Sequence, residues 1–300
     1  MSIPLAYAAV VLIWSTTPLA IKWSALGAGF AFAVMARMLI GVVLAALIVA
    51  VWRVGFPMHR AARQTYLAGG LGLFGAMICT YWGSQFITSG LVSVLFGLAP
   101  LITSLLAAIW LKERALAPAK LAGMLLGLAG LGVIFLAETG IGGPDARYGM
   151  MALLLAVFIY SASLVWVKKI GDHSPPLAIT TGTLAVSMPL FALVWFLADG
   201  RVPSTLPVQA GAAIVYLGVF GSVLGFALYY YIIKHLETGR VALITLITPV
   251  LALMLGILLN GEVVPVRVWF GAALISLGLS LYHWESLAGM LAPAWARVSR

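Results

Sequence analysis

The sequence predicts an all-α integral membrane protein that crosses the bilayer ten times. Of its 300 residues, 63% are hydrophobic and 8% are charged, whereas soluble globular domains are roughly 45–50% apolar and 25% charged. Its apolar stretches, for example residues 91–111 and 241–259, lack the alternation of apolar and polar residues that marks a membrane β-strand. The composition therefore excludes a soluble fold, and the uninterrupted stretches favour transmembrane helices over a membrane barrel.

Ten spans follow when the apolar runs are delimited by charged residues, proline and glycine. Each span has about the 20 residues that a helix needs to cross a bilayer. The predicted spans 1 to 10 run from Ile3 to Ala20, Ala31 to Trp52, Tyr66 to Gln85, Thr88 to Leu111, Pro118 to Ala137, Ala146 to Val167, Leu177 to Ala198, Val208 to Ile233, Thr238 to Leu259 and Pro265 to Trp284.

Charged and helix-breaking residues set the limits of spans 1 to 5 in turn. Lys22 follows span 1, and Arg53 follows span 2. A short turn at residues 85–88 separates span 3 from span 4, which ends before Lys112. Pro118 marks the start of span 5.

Spans 6 to 10 are delimited in the same way. Lys168 follows span 6, and Asp199 follows span 7. Residues 234–240 form a turn between spans 8 and 9, since one continuous helix would be far longer than the bilayer is thick. Glu262 follows span 9, and Pro265 begins span 10.

Lysine and arginine are distributed unevenly between the two sets of alternate loops. Twelve of the 17 lie in one set and in the C-terminal segment, four lie in the other set, and Arg37 lies inside span 2. Because positively charged loops stay in the cytoplasm, both termini are predicted to be cytoplasmic. The N-terminus lacks a basic signal-peptide region, so the first segment is predicted to remain as a span.

The chain contains two similar halves, related by a shift of 146 to 149 residues. Each half holds five spans, and this odd number turns the second half upside down in the membrane. We predict a first repeat over residues 1–142, an inverted second repeat over 143–285 and a cytoplasmic tail over 286–300. Such inverted repeats are typical of secondary transporters. Aligned pairs include Ser15 with Ser161, Lys22 with Lys168, Gly72 with Gly218, Gly90 with Gly239, Pro100 with Pro249 and Glu113 with Glu262.

A duplicated motif lies across spans 4 and 5 and again across spans 9 and 10. The segment from Pro100 to Leu131, PLITSLLAAIWLKERALAPAKLAGMLLGLAGL, combines a proline, a K-E-R turn and a glycine-spaced helix. The copy from Pro249 to Leu279 repeats the proline, a Gly-Glu turn and the glycine spacing, although Val263 replaces the arginine. This motif resembles the signature of ten-helix EamA-type transporters of the drug/metabolite transporter superfamily.

The family resemblance extends over residues 3–284 and includes Trp14 and Ser15 in span 1 and Arg37 in span 2. Within the superfamily, the chain looks most like bacterial exporters of amino acids and metabolites, including the aromatic amino-acid branch. The resemblance implies an inner-membrane exporter of small metabolites, with neutral or aromatic amino acids as expected substrates. Drugs and anionic or amphipathic metabolites are the alternative cargo. The resemblance also implies alternating access, with spans 3, 4, 8 and 9 rocking around a central cavity.

Aromatic and hydroxyl side chains inside the spans are candidates for lining that cavity. Trp14 lies too deep in span 1 for the interfacial aromatic belt, so it either packs against a neighbouring helix or faces the cavity. The repeat pairs Trp14 and Ser15 with Tyr160 and Ser161. The predicted cavity residues are Trp14, Ser15, Tyr81, Trp82, Tyr160, Ser161, Phe226, Tyr230, Tyr231 and Thr245.

Prolines and glycines at repeat-related positions are candidate hinges. Pro100 and Pro249 each lack a backbone N–H and kink a helix, so they either act as hinges or shape static packing. Gly72 and Gly218 lie in spans 3 and 8, where they either hinge the helix or allow close helix contact.

Arg37 is the one charged residue predicted to lie within the hydrocarbon. It either binds a substrate carboxylate or phosphate, or it snorkels outward or donates to carbonyls at a helix end. All acidic residues lie at span ends or in loops. This distribution disfavours a proton-driven exporter of organic cations, which needs an intramembrane carboxylate.

No catalytic residue, metal site or cofactor is predicted, because the chain contains neither H-E-x-x-H nor G-x-S-x-G nor a pair of intraspan aspartates. An intramembrane enzyme is the most distant alternative. The net charge of +9 is spread between the hydrophobic runs, which argues against nucleic acid as a partner. The predicted partners are a small-molecule substrate and the lipid bilayer, for a monomer or weak homodimer. Gly123 and Gly127 form a packing surface, either between subunits or within one chain.

Overall fold

The computed structural model describes residues 2–112, 118–136, 145–198, 200–236 and 238–284, with most of their side chains. Regular structure within these residues is helical throughout, and it confirms the all-α architecture with ten spans. The helices are Ile3–Ser24 in span 1, Phe30–Val51 in span 2, Arg60–Gly83 in span 3, Ser89–Phe96 and Ala99–Trp110 in span 4, Pro118–Phe135 in span 5, Ala146–Ile170 in span 6, Pro176–Ala198 in span 7, Val208–Tyr216, the π-helix Leu217–Leu224 and Gly225–His235 in span 8, Thr238–Asn260 in span 9, and Val266–Tyr282 in span 10.

The helices have the length and composition of membrane spans. Among the described residues, eight helical segments are long and apolar enough to cross a membrane. The other two spans are Arg60–Gly83, with 24 residues, and the shorter apolar helix Val266–Tyr282, with 17 residues. The protein is therefore a multi-pass membrane protein.

Local capping explains where the helix limits differ from the predicted ones. Span 3 begins at Arg60, six residues before the predicted start, because Nδ1 of His59 accepts a hydrogen bond from the N–H of Ala62 at 3.2 Å. This bond satisfies one of the exposed donors of the first turn. Span 6 continues to Ile170, where Gly171 ends it in the left-handed conformation with φ of 66°.

Spans 4 and 8 are irregular, whereas their repeat partners are not. Span 4 is divided between Phe96 and Ala99, just before Pro100, and the N–H of Leu98 bonds to the carbonyl of Leu95 at 3.0 Å. The middle of span 8 is a π-helix. Spans 9 and 3, which are the repeat partners of spans 4 and 8, are single α-helices. The two halves therefore share a topology but differ in local geometry.

The packing of the spans follows the repeat. The principal pairings are span 5 with 10, span 2 with 7, span 4 with 9, span 3 with 6 and 7, span 8 with 1 and 2, span 4 with 6, and span 9 with 1. Exchanging each span for its partner in the other half leaves this set of pairings unchanged. The arrangement is therefore that of two five-span repeats packed against each other. The boundary predicted between residues 142 and 143 lies outside the described residues, and so does the tail at 286–300.

Glycines bring spans 5 and 10 into backbone contact. A Cβ added at Gly130 would lie 2.6 Å from the carbonyl oxygen of Gly271, and one at Gly271 would lie 2.7 Å from that of Gly130. Gly123 and Gly278 face each other in the same reciprocal way. Gly127 faces Leu101 of span 4. The G-x-x-x-G surface of span 5 therefore packs within the chain.

Candidate functional site

An aromatic cluster forms where span 1 crosses span 8. The ring centroid of Trp14 lies 4.7 Å from that of Tyr229 and 6.5 Å from that of Phe226. Gly225 borders this cluster, since a Cβ added there would lie 3.4 Å from Nε1 of Trp14. The structure thus brings together Trp14 and Phe226 from the predicted cavity set and adds Tyr229.

The two repeat-related serines are both fully buried, but their surroundings differ. Ser161 donates to the carbonyl of Ala99 at 3.3 Å, beside the break in span 4. The hydroxyl of Ser15 has no hydrogen-bond partner among the described residues. Tyr160 makes an edge contact with Phe96 of span 4 at 6.4 Å. Ser161 and Tyr160 therefore lie against the irregular part of span 4.

Arg37 is buried between spans 2, 3 and 8, with 5% of its surface exposed. Its Nε donates to Oγ of Ser222 at 3.1 Å, and its Nη1 donates to the hydroxyl of Tyr81 at 3.4 Å. Oγ of Ser222 in turn donates to the carbonyl of Leu217 at 3.0 Å, five residues earlier in the π-helix. The structure thus joins Arg37 to Tyr81, a predicted cavity residue, and to Ser222, which the sequence analysis missed.

The π-helix is what places Ser222 opposite Arg37. Its wider turn allows the hydroxyl of Ser222 to reach the carbonyl five residues before it, and such segments are frequent at functional sites. Gly41 and Gly218 allow the close approach, because a Cβ at Gly41 would lie 3.2 Å from Cβ of Ser222 and one at Gly218 would lie 2.6 Å from Ile40. The clustered glycines of span 8 were the feature of the sequence that pointed to this close approach.

The remaining predicted cavity residues lie apart from these two groups. Trp82 is 38% exposed and packs on Phe86. Tyr231 packs on His235 near the end of span 8, with 4.3 Å between the rings. Thr245 is half-buried in span 9. The side chain of Tyr230 lies outside the described part of the chain.

The candidate hinges occupy unlike environments. Pro100 lies in the first turn after the break in span 4, whereas Pro249 lies inside the continuous helix of span 9. Gly72 lies in the regular helix of span 3, in tight contact with Ser163 of span 6, and Gly218 lies in the π-helix. Both glycines allow close helix contact, and whether any of the four positions moves stays a prediction.

One end of the bundle carries an ionic network that the sequence analysis did not anticipate. The carboxylate of Glu262 accepts from the N–H of Ser89 at 3.0 and 2.9 Å and from its hydroxyl at 2.9 Å. Nζ of Lys22 lies 3.5 Å from Oε1 of Glu262 and donates to the carbonyl of Ile87 at 2.8 Å. We name Lys22, Ser89 and Glu262 the Glu262 network. It joins the ends of spans 1, 4 and 9.

At the opposite end, Nε2 of His59 lies 3.6 Å from Oδ1 of Asp172. Asp172 lies in the loop after span 6, yet only 2% of its side chain is exposed. Oδ1 accepts from the hydroxyl of Ser174 at 3.0 Å, and Oδ2 is buried without a partner in the described structure. Loop position alone therefore did not reveal that this carboxylate is buried.

Comparison with known families supports a transport function. The model of the EamA-like transporter family matches residues 1–136 and 147–283. A probable terminal-alkyne amino-acid exporter of Streptantibioticus cattleyicolor is 28% identical over 92% of this chain and 92% of its own. A probable amino-acid metabolite efflux pump of Salmonella typhimurium is 30% identical over 69% of this chain and 71% of its own.

Two further similarities bear on the fold and the general class. An uncharacterized transporter of Archaeoglobus fulgidus is 28% identical over 70% of this chain and 74% of its own. One solved crystal structure superimposes with a TM-score of 0.62 at 24% identity, covering 95% of this chain and 97% of the other. At this identity the crystal structure shows that the fold is shared.

Proposed function

The chain belongs to the EamA-like transporter family, and from that premise we propose that it exports amino acids, with neutral and aromatic ones as the leading substrates. The family is one of transporters, and relatives named as amino-acid exporters match most of the chain. The observation that carries the choice of substrate is the cluster of Trp14, Phe226 and Tyr229 within the bundle. Aromatic faces bind aromatic and apolar side chains well.

The proposed mechanism is alternating access between the two repeats. Span 4 is broken before Pro100, while span 9 is one continuous helix that contains Pro249. In an inverted-repeat transporter, exchanging these two geometries between the halves would expose the central site to the other side. Spans 3, 4, 8 and 9 are the moving group in this proposal, with Pro100 and Pro249 as hinges.

The proposed location is the inner membrane of a bacterium, with both termini in the cytoplasm. The uneven distribution of lysine and arginine between alternate loops supports this orientation. It places the Glu262 network at the outer end of the bundle and the pair of His59 and Asp172 at the cytoplasmic end.

The experiment that tests the proposed function is transport by the purified protein in liposomes. We expect labelled phenylalanine, tyrosine, tryptophan or leucine to cross the membrane faster than in protein-free liposomes. Unlabelled amino acid on the opposite side should accelerate this movement by exchange. If no amino acid moves while a cationic dye does, the proposed substrate class is wrong and the drug-exporter alternative gains support.

We predict that Trp14→Ala reduces the transport of aromatic amino acids by roughly tenfold, because it removes the central ring of the cluster. Trp14→Phe retains a ring and should retain most of the activity. Trp166→Ala is the matched control, since Trp166 also lies inside a span but is 55% exposed. Initial rates at equal amounts of reconstituted protein provide the measurement. Equal rates for Trp14→Ala and Trp166→Ala would assign Trp14 to packing alone.

A further inference from the structure

One face of span 8 presents two glycines, one turn apart, to spans 1 and 2. A Cβ added at Gly221 would lie 3.3 Å from Nη2 of Arg37, and one at Gly225 would lie 3.4 Å from Nε1 of Trp14. Residues four apart on a helix are neighbours on its surface. The guanidinium of Arg37 and the indole of Trp14 therefore each pack against a glycine of span 8.

The charge on Arg37 has no anionic partner among the residues that the structure describes. An arginine stays protonated in proteins and offers five N–H donors. Its recorded hydrogen bonds use Nε and Nη1, and both go to neutral hydroxyls, those of Ser222 and Tyr81. Within the described residues, Glu262 pairs with Lys22, and Asp172 lies beside His59.

A buried cation without a counter-charge is unfavourable, so an anion beside this guanidinium would be stabilised. Arg37 lies seven residues into span 2, which corresponds to about 10 Å of helix. The hydroxyls of Ser222 and Tyr81 hold the guanidinium in place, and Nη2 lies beside Gly221. The planar guanidinium matches the geometry of a carboxylate.

We propose that Arg37 binds the carboxylate of the transported amino acid through Nη2, while the side chain of the substrate lies against Trp14. This inference rests on the proposed function and specifies its substrate class as small molecules that carry a carboxylate next to an apolar or aromatic group. Ser222 and Tyr81 are positioning residues, because they act by orienting the guanidinium.

The test compares substrates that differ only in the proposed contact. Wild-type protein in liposomes should transport phenylalanine at least about tenfold faster than 2-phenylethylamine, the same molecule without its carboxylate. Excess 3-phenylpropanoate, which keeps the carboxylate and lacks the amine, should inhibit phenylalanine transport. Equal transport of phenylalanine and 2-phenylethylamine by the wild-type protein would overturn the proposal.

Variants of Arg37 provide the second arm. Arg37→Gln should lower phenylalanine transport by about tenfold to a hundredfold and abolish the preference over 2-phenylethylamine. Arg147→Gln is the matched control, since Arg147 also lies over a tyrosine ring and donates to its hydroxyl, but is exposed. A preference that persists in a folded Arg37→Gln variant would also overturn the proposal.

Milder variants keep the test informative if Arg37→Gln does not fold. Ser222→Ala and Tyr81→Phe each remove one hydrogen bond to the guanidinium, and each should raise KM for phenylalanine several-fold with a smaller effect on the maximal rate. A change in maximal rate alone would contradict the positioning role. Failure of the wild-type protein to move any amino acid would instead refute the proposed function, so the two failures are distinguishable.

Discussion

Replacing Gly130 by leucine is expected to destabilise the protein more than any other single change considered for the helix packing. The new side chain would meet the backbone of Gly271 and Ile275, where the added Cβ alone would lie 2.6 Å from the carbonyl oxygen of Gly271. A backbone obstacle cannot move aside as a side chain can, so spans 5 and 10 must separate. We expect a loss of about 3 kcal/mol in the free energy of unfolding.

Gly132→Leu is the control for that variant, because it makes the same chemical change two residues further along span 5. A Cβ at Gly132 meets no atom within 4 Å. The unfolding temperature in detergent can be measured from the fraction of protein that stays monodisperse on heating. It should fall strongly for Gly130→Leu and change little for Gly132→Leu. Equal unfolding temperatures would show that spans 5 and 10 do not pack through these glycines.

Replacing Glu262 by alanine is expected to produce the second largest loss of stability. The side chain of Glu262 is only 5% exposed, and it accepts hydrogen bonds from both the N–H and the hydroxyl of Ser89. The variant leaves these donors and Lys22 without the carboxylate. Lys22 is 29% exposed, so solvent weakens its attraction to Glu262. We expect Glu262→Ala to lower the free energy of unfolding by roughly 2–3 kcal/mol in total.

Two comparisons separate the network from a general change in charge. Asp145→Ala removes an acid from an exposed position that makes no capping hydrogen bond, and it should leave the unfolding temperature nearly unchanged. The double variant Lys22→Ala, Glu262→Ala should lose less free energy of unfolding than the two single variants lose in sum, because the two side chains contact each other. Strict additivity would show that Lys22 and Glu262 are not coupled.

Much of the fold could be predicted because membrane spans and helix breaks depend on the residues of short, continuous segments. The ten spans follow from apolar runs, and the break in span 4 lies just before Pro100, although Pro249 leaves span 9 continuous. The π-helix of span 8 could not be predicted in the same way. Gly218 and Gly221 pack against span 2 within it, but clustered glycines in a sequence do not distinguish a π-helix from a closely packed α-helix.

The sequence predicted which types of residue form the candidate site better than it predicted which of them contact each other. Trp14 and Phe226 do meet, but Tyr81 and Trp82, which are adjacent in sequence, lie in different surroundings. Neighbouring residues on a helix point about 100° apart, so both cannot face the same partner. Ser222 was missed because its contact with Arg37 depends on the π-helical register, and hydroxyl residues are common in spans.

The pairing of the spans across the two halves has a consequence for biosynthesis. Spans 1 to 5 find their principal partners in the second half, and span 5 packs most closely on span 10, which ends at Tyr282. The first half therefore leaves the ribosome long before its partners exist. Until span 10 is inserted, lipid or an insertion factor must cover the glycine surface of span 5. The contact between spans 5 and 10 can therefore form only after span 10 has been inserted.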